Sequence, residues 1–272
     1  MYPYDIVFGL DLYDLAIVIG FFGALVYFRF WADRRGFSAG FQNLCIVGGL
    51  FGIVGGYGVA VITQAFYNYM ESGKFEISGT TGATFYGGLI GGAAAFLLVY
   101  FIGGHLILKN GIVLKNFFSL SEIAAGSIAL AHGFGRLGCL FAGCCHGAPT
   151  DAWYGINMMN GSGEWVKCVP TQLFEAIFLM LLFGFLVSFS ILKKKLILPF
   201  YLIIYGVWRF AIEYLRDDYR GDTFIEALTP SQLIALVLVV IGIALIFVEV
   251  AVTKYIAGLE KNETERKNES NA

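Results

Sequence analysis

Two arginines stand inside long apolar runs of this 272-residue chain. Arg136 lies in Ala131-His-Gly-Phe-Gly-Arg-Leu-Gly-Cys139, and Arg209 lies in Tyr205-Gly-Val-Trp-Arg-Phe-Ala-Ile-Glu213. A cation in hydrocarbon costs about 2.5 kcal/mol or more. It persists against a partner, in a wet cavity or on an anionic ligand. Tyr205, Arg209, Glu213 and Arg216 are spaced i, i+4, i+8 and i+11, which places them on one helical face. One Arg–Glu pair neutralises itself. The second arginine adds positive charge that can hold a phosphate, such as a phospholipid headgroup, through paired N–H donors. The same residues also read as an ion-pair ladder tying helices together.

The segment around Arg136 continues as Cys139-Leu-Phe-Ala-Gly-Cys144-Cys145-His146-Gly147. Glycines flanking the arginine, Gly138 among them, let backbone or a headgroup come near. Cys139, Cys144, Cys145 and His146 are metal-ligand types, but they lack paired CxxC spacing, and neither a metal nor a cofactor is expected. The thiols are left open between free cysteines packed as small hydrophobes, a disulfide (with Cys168, for instance) and a thiolate activated by Arg136. Further back, Tyr86-Gly87-Gly88-Leu-Ile-Gly-Gly92 carries small pairs suited to close helix packing. Pro170-Thr-Gln172-Leu-Phe-Glu175 reads as a helix start, with Glu175 one turn into apolar sequence and therefore facing a polar interior.

The elements that must position these groups are membrane spans. The chain is 58% hydrophobic and 14% charged, against roughly 25% charged in soluble domains. Its net charge of −2 argues against a nucleic-acid partner. Apolar runs near the length a bilayer requires predict an all-α polytopic protein with seven spans, at about 12–31, 43–66, 83–107, 119–141, 171–192, 197–215 and 231–253. The fourth is expected to be a broken helix, because Gly126, Gly133, Gly135 and Gly138 interrupt it. The first span is expected to act as an uncleaved anchor, since no basic region precedes it.

With the N-terminus outside, twelve of the 18 lysines and arginines fall on the cytoplasmic side, four outside, and Arg136 and Arg209 in the membrane. This bias predicts an external N-terminus and a cytoplasmic C-terminus. Residues 1–258 then form a single membrane domain, and 259–272 a polar, disordered cytoplasmic tail. The fourth and sixth spans both run outward, so Arg136 and Arg209 are expected to meet toward the outer face.

These motifs together resemble the prolipoprotein diacylglyceryl transferase family, bacterial seven-span enzymes. The resemblance rests on Phe85-Tyr86-Gly-Gly-Leu-Ile-Gly91, Gly135-Arg136-Leu-Gly138 with Gly143 and Gly147, Pro170-Thr-Gln172-Leu-Phe-Glu175, and Tyr205-Gly-x-x-Arg209-Phe-x-x-Glu213-x-x-Arg216, in family order. It implies transfer of a diacylglyceryl group from phosphatidylglycerol to the thiol of a prolipoprotein lipobox cysteine, at the outer leaflet of a bacterial cytoplasmic membrane. Arg136 and Arg209 would hold the phosphate, with Glu213 and Arg216 orienting Arg209. Tyr205, Gln172, Glu175, Gly87, Gly88, Gly138, Cys139 and Cys144 would complete the substrate site. The chain departs from the family at Tyr86, where histidine is usual. It departs again at Cys139 and Ala142, usually asparagines, at Cys144, usually glutamate, and at Ala148, usually arginine. His146 lies outside the usual signature and is a candidate base for the acceptor thiol, in place of Tyr86. Two other readings stand beside this one: a relative with the same donor but a different acceptor, and a non-catalytic binder of anionic lipid.

Overall fold

Apolar runs without competing water fold their own backbone polar groups into helices, and the computed structural model follows that rule. It describes residues 10–75, 77–78, 81, 84–108, 112–159, 164–192, 195–216, 225 and 227–270. Of the charges used to orient the chain, Lys109, Lys193, Lys194 and Arg220 lie outside the described residues. The helices are α1 (Leu12–Arg34), α2 (Ala39–Ser72), α3 (Phe85–Leu98), α4 (Gly104–Leu108), α5 (Ile112–Ala142), α6 (Thr171–Ile191), α7 (Ile197–Ile212) and α8 (Pro230–Ser270). Seven helical stretches among the described residues are long and apolar enough to cross a membrane: Leu12–Arg34, Ala39–Met70, Gly87–Leu108, Asn116–Ala142, Thr171–Ile191, Ile197–Leu215 and Pro230–Tyr255. They match the seven expected spans. α8 continues past its apolar part, and its backbone stays helical to Ser270.

The fourth span is not broken. α5 runs through all four of its glycines as one helix. A glycine costs about 1 kcal/mol against alanine within a helix, but that preference is overridden where the backbone has no water to turn to and the missing side chain admits a neighbour. The irregularity falls instead in the third span, where Val99–Gly103 forms a π turn between α3 and α4.

The chain divides into two compact units, residues 29–120 and residues 1–28 with 121–272. In the first, α2 and α3 pack glycine against glycine. A Cβ on Gly56 would lie 2.8 Å from the Gly88 carbonyl oxygen, and one on Gly92 would lie 3.0 Å from that of Gly52. Small residues of this kind let helices associate where lipid removes the hydrophobic drive. Ser38 caps α2 by accepting from Phe41 N at 3.3 Å, and Gly73 ends it at φ 71°. Tyr100, on the π turn, is fully buried and donates to the Val113 carbonyl at 2.6 Å.

In the second unit, α1 packs on α5 through Gly20 against Phe134 and Tyr27 against Gly126. Ala125, Ala129, Leu179, Leu182, Leu186, Ile197, Tyr201 and Tyr205 form the core shared by α5, α6 and α7. α7 meets α8 at Gly206, facing the Ala235 carbonyl, and at Gly242, facing that of Pro199. A two-stranded antiparallel hairpin, β1 (Ile156–Met159) and β2 (Trp165–Cys168), precedes α6, with Ile156 opposite Cys168. The residues after α5 tie into it and into the end of α7. Gly147 bridges to Arg216 and Pro149 to Cys168.

Candidate functional site

Glu175 is the centre of the polar constellation. It lies one turn into α6, with no exposed surface. Its Oε2 is 2.9 Å from Arg136 Nε on α5. Its Oε1 accepts from the Tyr205 hydroxyl on α7 at 3.1 Å and is 3.9 Å from His132 Nε2 on α5. The His132 ring stands edge-on to Tyr205, with centroids 5.2 Å apart. One carboxylate therefore gathers a guanidinium, a phenol and an imidazole from two neighbouring helices. It also lies within electrostatic reach of both Arg136 and Arg209.

Arg209 has its own carboxylate. Its Nη2 is 2.8 Å from Glu213 Oε2 and donates to Ser231 Oγ at the start of α8, at 2.9 Å. Glu213 in turn accepts from the Thr229 hydroxyl at 2.9 Å. Arg136 and Arg209 thus each face one buried carboxylate, and the surplus positive charge expected from the sequence rests on Arg216, which neither pair involves. What the paired groups retain is unspent hydrogen-bonding capacity. Arg136 Nε, Glu175 Oε2 and Glu213 Oε2 are buried without a hydrogen bond among the described residues, because the two ion pairs are close but poorly aligned, and Arg209 Nη1, which takes no part in its pair, is buried without one as well. Leaving such a group unmet costs about 1–3 kcal/mol, and more for a charged one.

The single helical face expected from Tyr205 to Arg216 holds only for its first part. α7 ends at Ile212, Glu213–Leu215 tighten into a 3-10 turn, and Arg216 follows in extended backbone at φ −96° and ψ 152°. Arg216 sits opposite Gly147, beside the turn that follows α5.

That turn holds the cysteines. Gly143 at φ 67° and Cys145 at φ 62° reverse the chain directly after α5. A non-glycine residue in this region costs roughly 1–2 kcal/mol, so the surroundings must hold it. Cys144 N donates to the Cys139 carbonyl at 3.1 Å. Gln172 Nε2 donates to the Cys144 carbonyl at 2.6 Å, and Thr171 Oγ1 to the Cys145 carbonyl at 3.0 Å. None of the five cysteines is in a disulfide. The Sγ atoms of Cys139, Cys144 and Cys145 lie within 4.8 Å of one another. The Cys145 thiol is held below the ordinary thiol range, first by hydrogen bonding from Cys139 and Cys144 and then, against the effect of burial, by the Arg216 and Arg136 guanidiniums.

His146 Nδ1 meets the Gly147 carbonyl at 3.0 Å. A carbonyl only accepts, so Nδ1 carries the proton and the lone pair of the neutral ring sits on Nε2. The structure therefore gathers Arg136 and Tyr205 on Glu175 and pairs Arg209 with Glu213, the two clusters lying within electrostatic reach of one another. It puts Cys144 and His146 on the adjoining turn, between Cys139 on α5 and Gln172 on α6. Gln172 is engaged in holding that turn, and Gly138 admits Tyr13, whose Cδ2 would lie 3.1 Å from a Cβ there. Gly87 and Gly88 belong to the other unit. A Cβ on Gly87 would lie 2.8 Å from Thr63 Oγ1, and the Gly88 carbonyl abuts Gly56. The Tyr86 side chain lies outside the described residues.

His132 joins the Glu175 cluster, Ser231 and Thr229 join Arg209 and Glu213, and Thr171 holds the cysteine turn, none of them having been singled out from the sequence. His132 is one turn before Arg136, and that i, i+4 spacing was the signal available for it.

The family model described as prolipoprotein diacylglyceryl transferase matches residues 4–248. The chain is similar to the phosphatidylglycerol–prolipoprotein diacylglyceryl transferase of Clostridium tetani, at 34% identity over 243 residues, covering 87% of this chain and 92% of that one. It is similar to a second enzyme of that name from Clostridium perfringens, at 33% over 248 residues, covering 88% and 91%. A third, from Dehalococcoides mccartyi, is 30% identical over 242 residues, covering 85% and 86%.

Proposed function

We infer a function from one premise: the chain belongs to the prolipoprotein diacylglyceryl transferase family. It is a membrane transferase with seven apolar spans among the described residues. Its donor in this reading is phosphatidylglycerol or a closely related anionic phospholipid, and its acceptor is the thiol of a prolipoprotein lipobox cysteine. The bond from the diacylglyceryl carbon to the phosphate oxygen breaks, a thioether forms, and glycerol phosphate leaves. The reaction takes place toward the outer leaflet of a bacterial cytoplasmic membrane. The charge bias of the connecting segments supports that orientation, with the N-terminus outside.

The observation that carries this reading is the state of Arg209. Serine and carboxylate fix its Nη2, while its buried Nη1 has no hydrogen bond among the described residues. A phosphate oxygen placed there completes the guanidinium and is stabilised as charge develops on the leaving group. Arg136 supplies the second cation from across Glu175. Glu213 and Tyr205 position the network, and Arg216 faces the cysteine turn. His146, through Nε2, and Tyr86 are the candidates for the acceptor's proton.

The test is incubation of purified protein with phosphatidylglycerol and a lipobox peptide, followed by mass analysis. Lipidated peptide is the expected product, and Arg136→Ala and Arg209→Ala each abolish it. Wild-type rates in both variants would remove the phosphate-binding assignment. A second reading, the same donor with a different acceptor, is favoured by Cys139 and Cys144 standing where the family has polar residues. It predicts lipid turnover with unmodified peptide. Bound phospholipid without turnover would instead mark a non-catalytic lipid binder.

A further inference from the structure

The three sulfurs at the end of α5 are left over from this account. Cys139, Cys144 and Cys145 form the one group of three or more His, Cys, Asp or Glu ligand atoms gathered closely enough for a metal ion among the described residues. They come together through tertiary structure. Cys139 is still on α5, Gly143 turns the chain, and the left-handed backbone at Cys145 swings that side chain back. Two hydrogen bonds from the start of α6, Gln172 to the Cys144 carbonyl and Thr171 to the Cys145 carbonyl, clamp the turn from outside. Cys144 is exposed, which gives an ion a way in.

We propose that Cys139, Cys144 and Cys145 form a three-thiolate site for a thiophilic closed-shell cation of the Zn2+ class, with a fourth position open to the acceptor thiol. The donor set is soft, which selects zinc and cuprous ions over magnesium or calcium. Zinc–sulfur bonds are about 2.3 Å long, so sulfurs around one ion sit roughly 3.8 Å apart. The present spread of at most 4.8 Å needs a contraction of side chains and no backbone rearrangement. Three thiolates on a divalent ion leave one negative charge, and Arg136, one turn before Cys139 on α5, is a cation placed to offset it. Three protein ligands with an open fourth position is the arrangement of a catalytic rather than a structural zinc.

The open position deepens the transferase reading and rests on it. Thioether formation needs a sulfur nucleophile, and a thiol bound to such an ion is deprotonated outright. The acceptor thiol binds the ion and releases its proton to water. Its sulfur then attacks the diacylglyceryl carbon of the donor. The C–S bond forms as the C–O bond breaks, and that electron pair leaves on the phosphate oxygen. The oxidation state of the ion does not change. Arg136 stands three residues before Cys139 on α5, one turn away, so the phosphate cation and the sulfur cluster adjoin.

The experiment uses the full chain, reduced and metal-stripped in detergent. It is titrated with Zn2+, and with Cd2+ to read sulfur-to-metal charge transfer in the ultraviolet. One ion per chain is expected. Cys144→Ser, at an exposed position, should weaken binding about 100-fold or more, beyond what loss of a supporting contact does. Cys45→Ala, in the other unit, should leave binding unchanged. Five titratable thiols with no stoichiometric ion would overturn the proposal, as would a disulfide within the cluster or an unchanged Cd2+ band in Cys144→Ser. Reloading Zn2+ should restore peptide lipidation at least tenfold over the stripped protein. Equal rates with and without the ion overturn the role of the fourth position. A bound ion with no lipidation in either state is instead the failure of the transferase reading, with the site itself upheld.

Discussion

Replacing Glu175 by Gln is the sharpest perturbation of the buried network. The side chain keeps its volume and can still accept from Tyr205. What it loses is the charge opposite Arg136, at 2.9 Å and without any exposed surface on the carboxylate. Breaking a buried pair by removing one partner costs about 3–5 kcal/mol, because the other charge is left uncompensated. Total stabilities are about 5–15 kcal/mol, so the loss is a large fraction of what holds α5, α6 and α7 together. At roughly 2–4 °C per kcal/mol, Glu175→Gln should melt about 6–20 °C below wild type in detergent, read by tryptophan fluorescence.

The double variant Glu175→Gln with Arg136→Gln separates charge from packing. With both ions gone, nothing charged is buried at that spot, and a neutral pair can be nearly as stable as the ionic one. The double variant should therefore recover at least about 2 kcal/mol relative to the sum of the single losses, a coupling of the size contacting residues show. It should nonetheless lipidate no peptide, since Arg136 is absent. An additive cycle would refute the reasoning, as would Glu175→Gln melting within about 2 °C of wild type.

Other consequences follow from the same geometry. Arg209→Lys keeps the charge but loses the fork that divides Nη2 from Nη1, and turnover by mass analysis should fall about 10²–10³-fold, the loss seen when one charge-stabilising donor is removed. A wild-type rate would mean that the charge alone suffices. His146→Gln decides where the acceptor proton goes. A general base is worth about 10²–10⁴ in rate, whereas a cation-held thiol needs none, so the expected loss is under about tenfold, and a larger one would return the role to His146. Gly147→Ala drives a Cβ into the Leu215 carbonyl and to 2.9 Å from Val169 Cβ. Backbone cannot yield there cheaply, so the variant should lose about 1–3 kcal/mol of stability as an overpacked site. An unchanged melting temperature would show that the bridge to Arg216 is loose.

The spans were legible because a membrane imposes one requirement, satisfied backbone within an apolar length, and composition alone expresses it. Arg136 and Arg209 were legible because charge in such a run is costly wherever it is put. The fold departs from the sequence reading where tertiary contact decides. The glycines of α5 look like a break in one dimension, but each admits a neighbour, Tyr27 opposite Gly126 and Met180 opposite Gly133 being two such approaches on this unit. Glu175 was marked by its depth in α6, but its part as the meeting point of three helices needs their packing to be known. The β1–β2 hairpin is two four-residue strands in a connection, too short to stand out beside seven long apolar runs. The convergence of three sulfurs depends on the backbone angle at Cys145, and no spacing rule encodes a left-handed cysteine.

That each arginine already faces a carboxylate bears on how a phosphate is held. A bare guanidinium waiting in the membrane would be unstable, and one fully engaged by two aligned hydrogen bonds to a carboxylate would have to give them up to bind anything else. Neither extreme is found. Arg136 reaches Glu175 through Nε at 2.9 Å, and Arg209 reaches Glu213 through Nη2 at 2.8 Å, both off the line a hydrogen bond prefers. The charges are compensated at rest while donor capacity is held back. A phosphoester arriving beside Arg209 Nη1 gains a hydrogen bond without breaking the ion pair that fixes the side chain, so positioning and ligand binding add rather than compete. The same separation makes Ser231 informative, because it secures Nη2 from α8 at 2.9 Å. Remove it, and Arg209 is free to turn its fork toward Glu213, spending on the protein the donors that a phosphate would use.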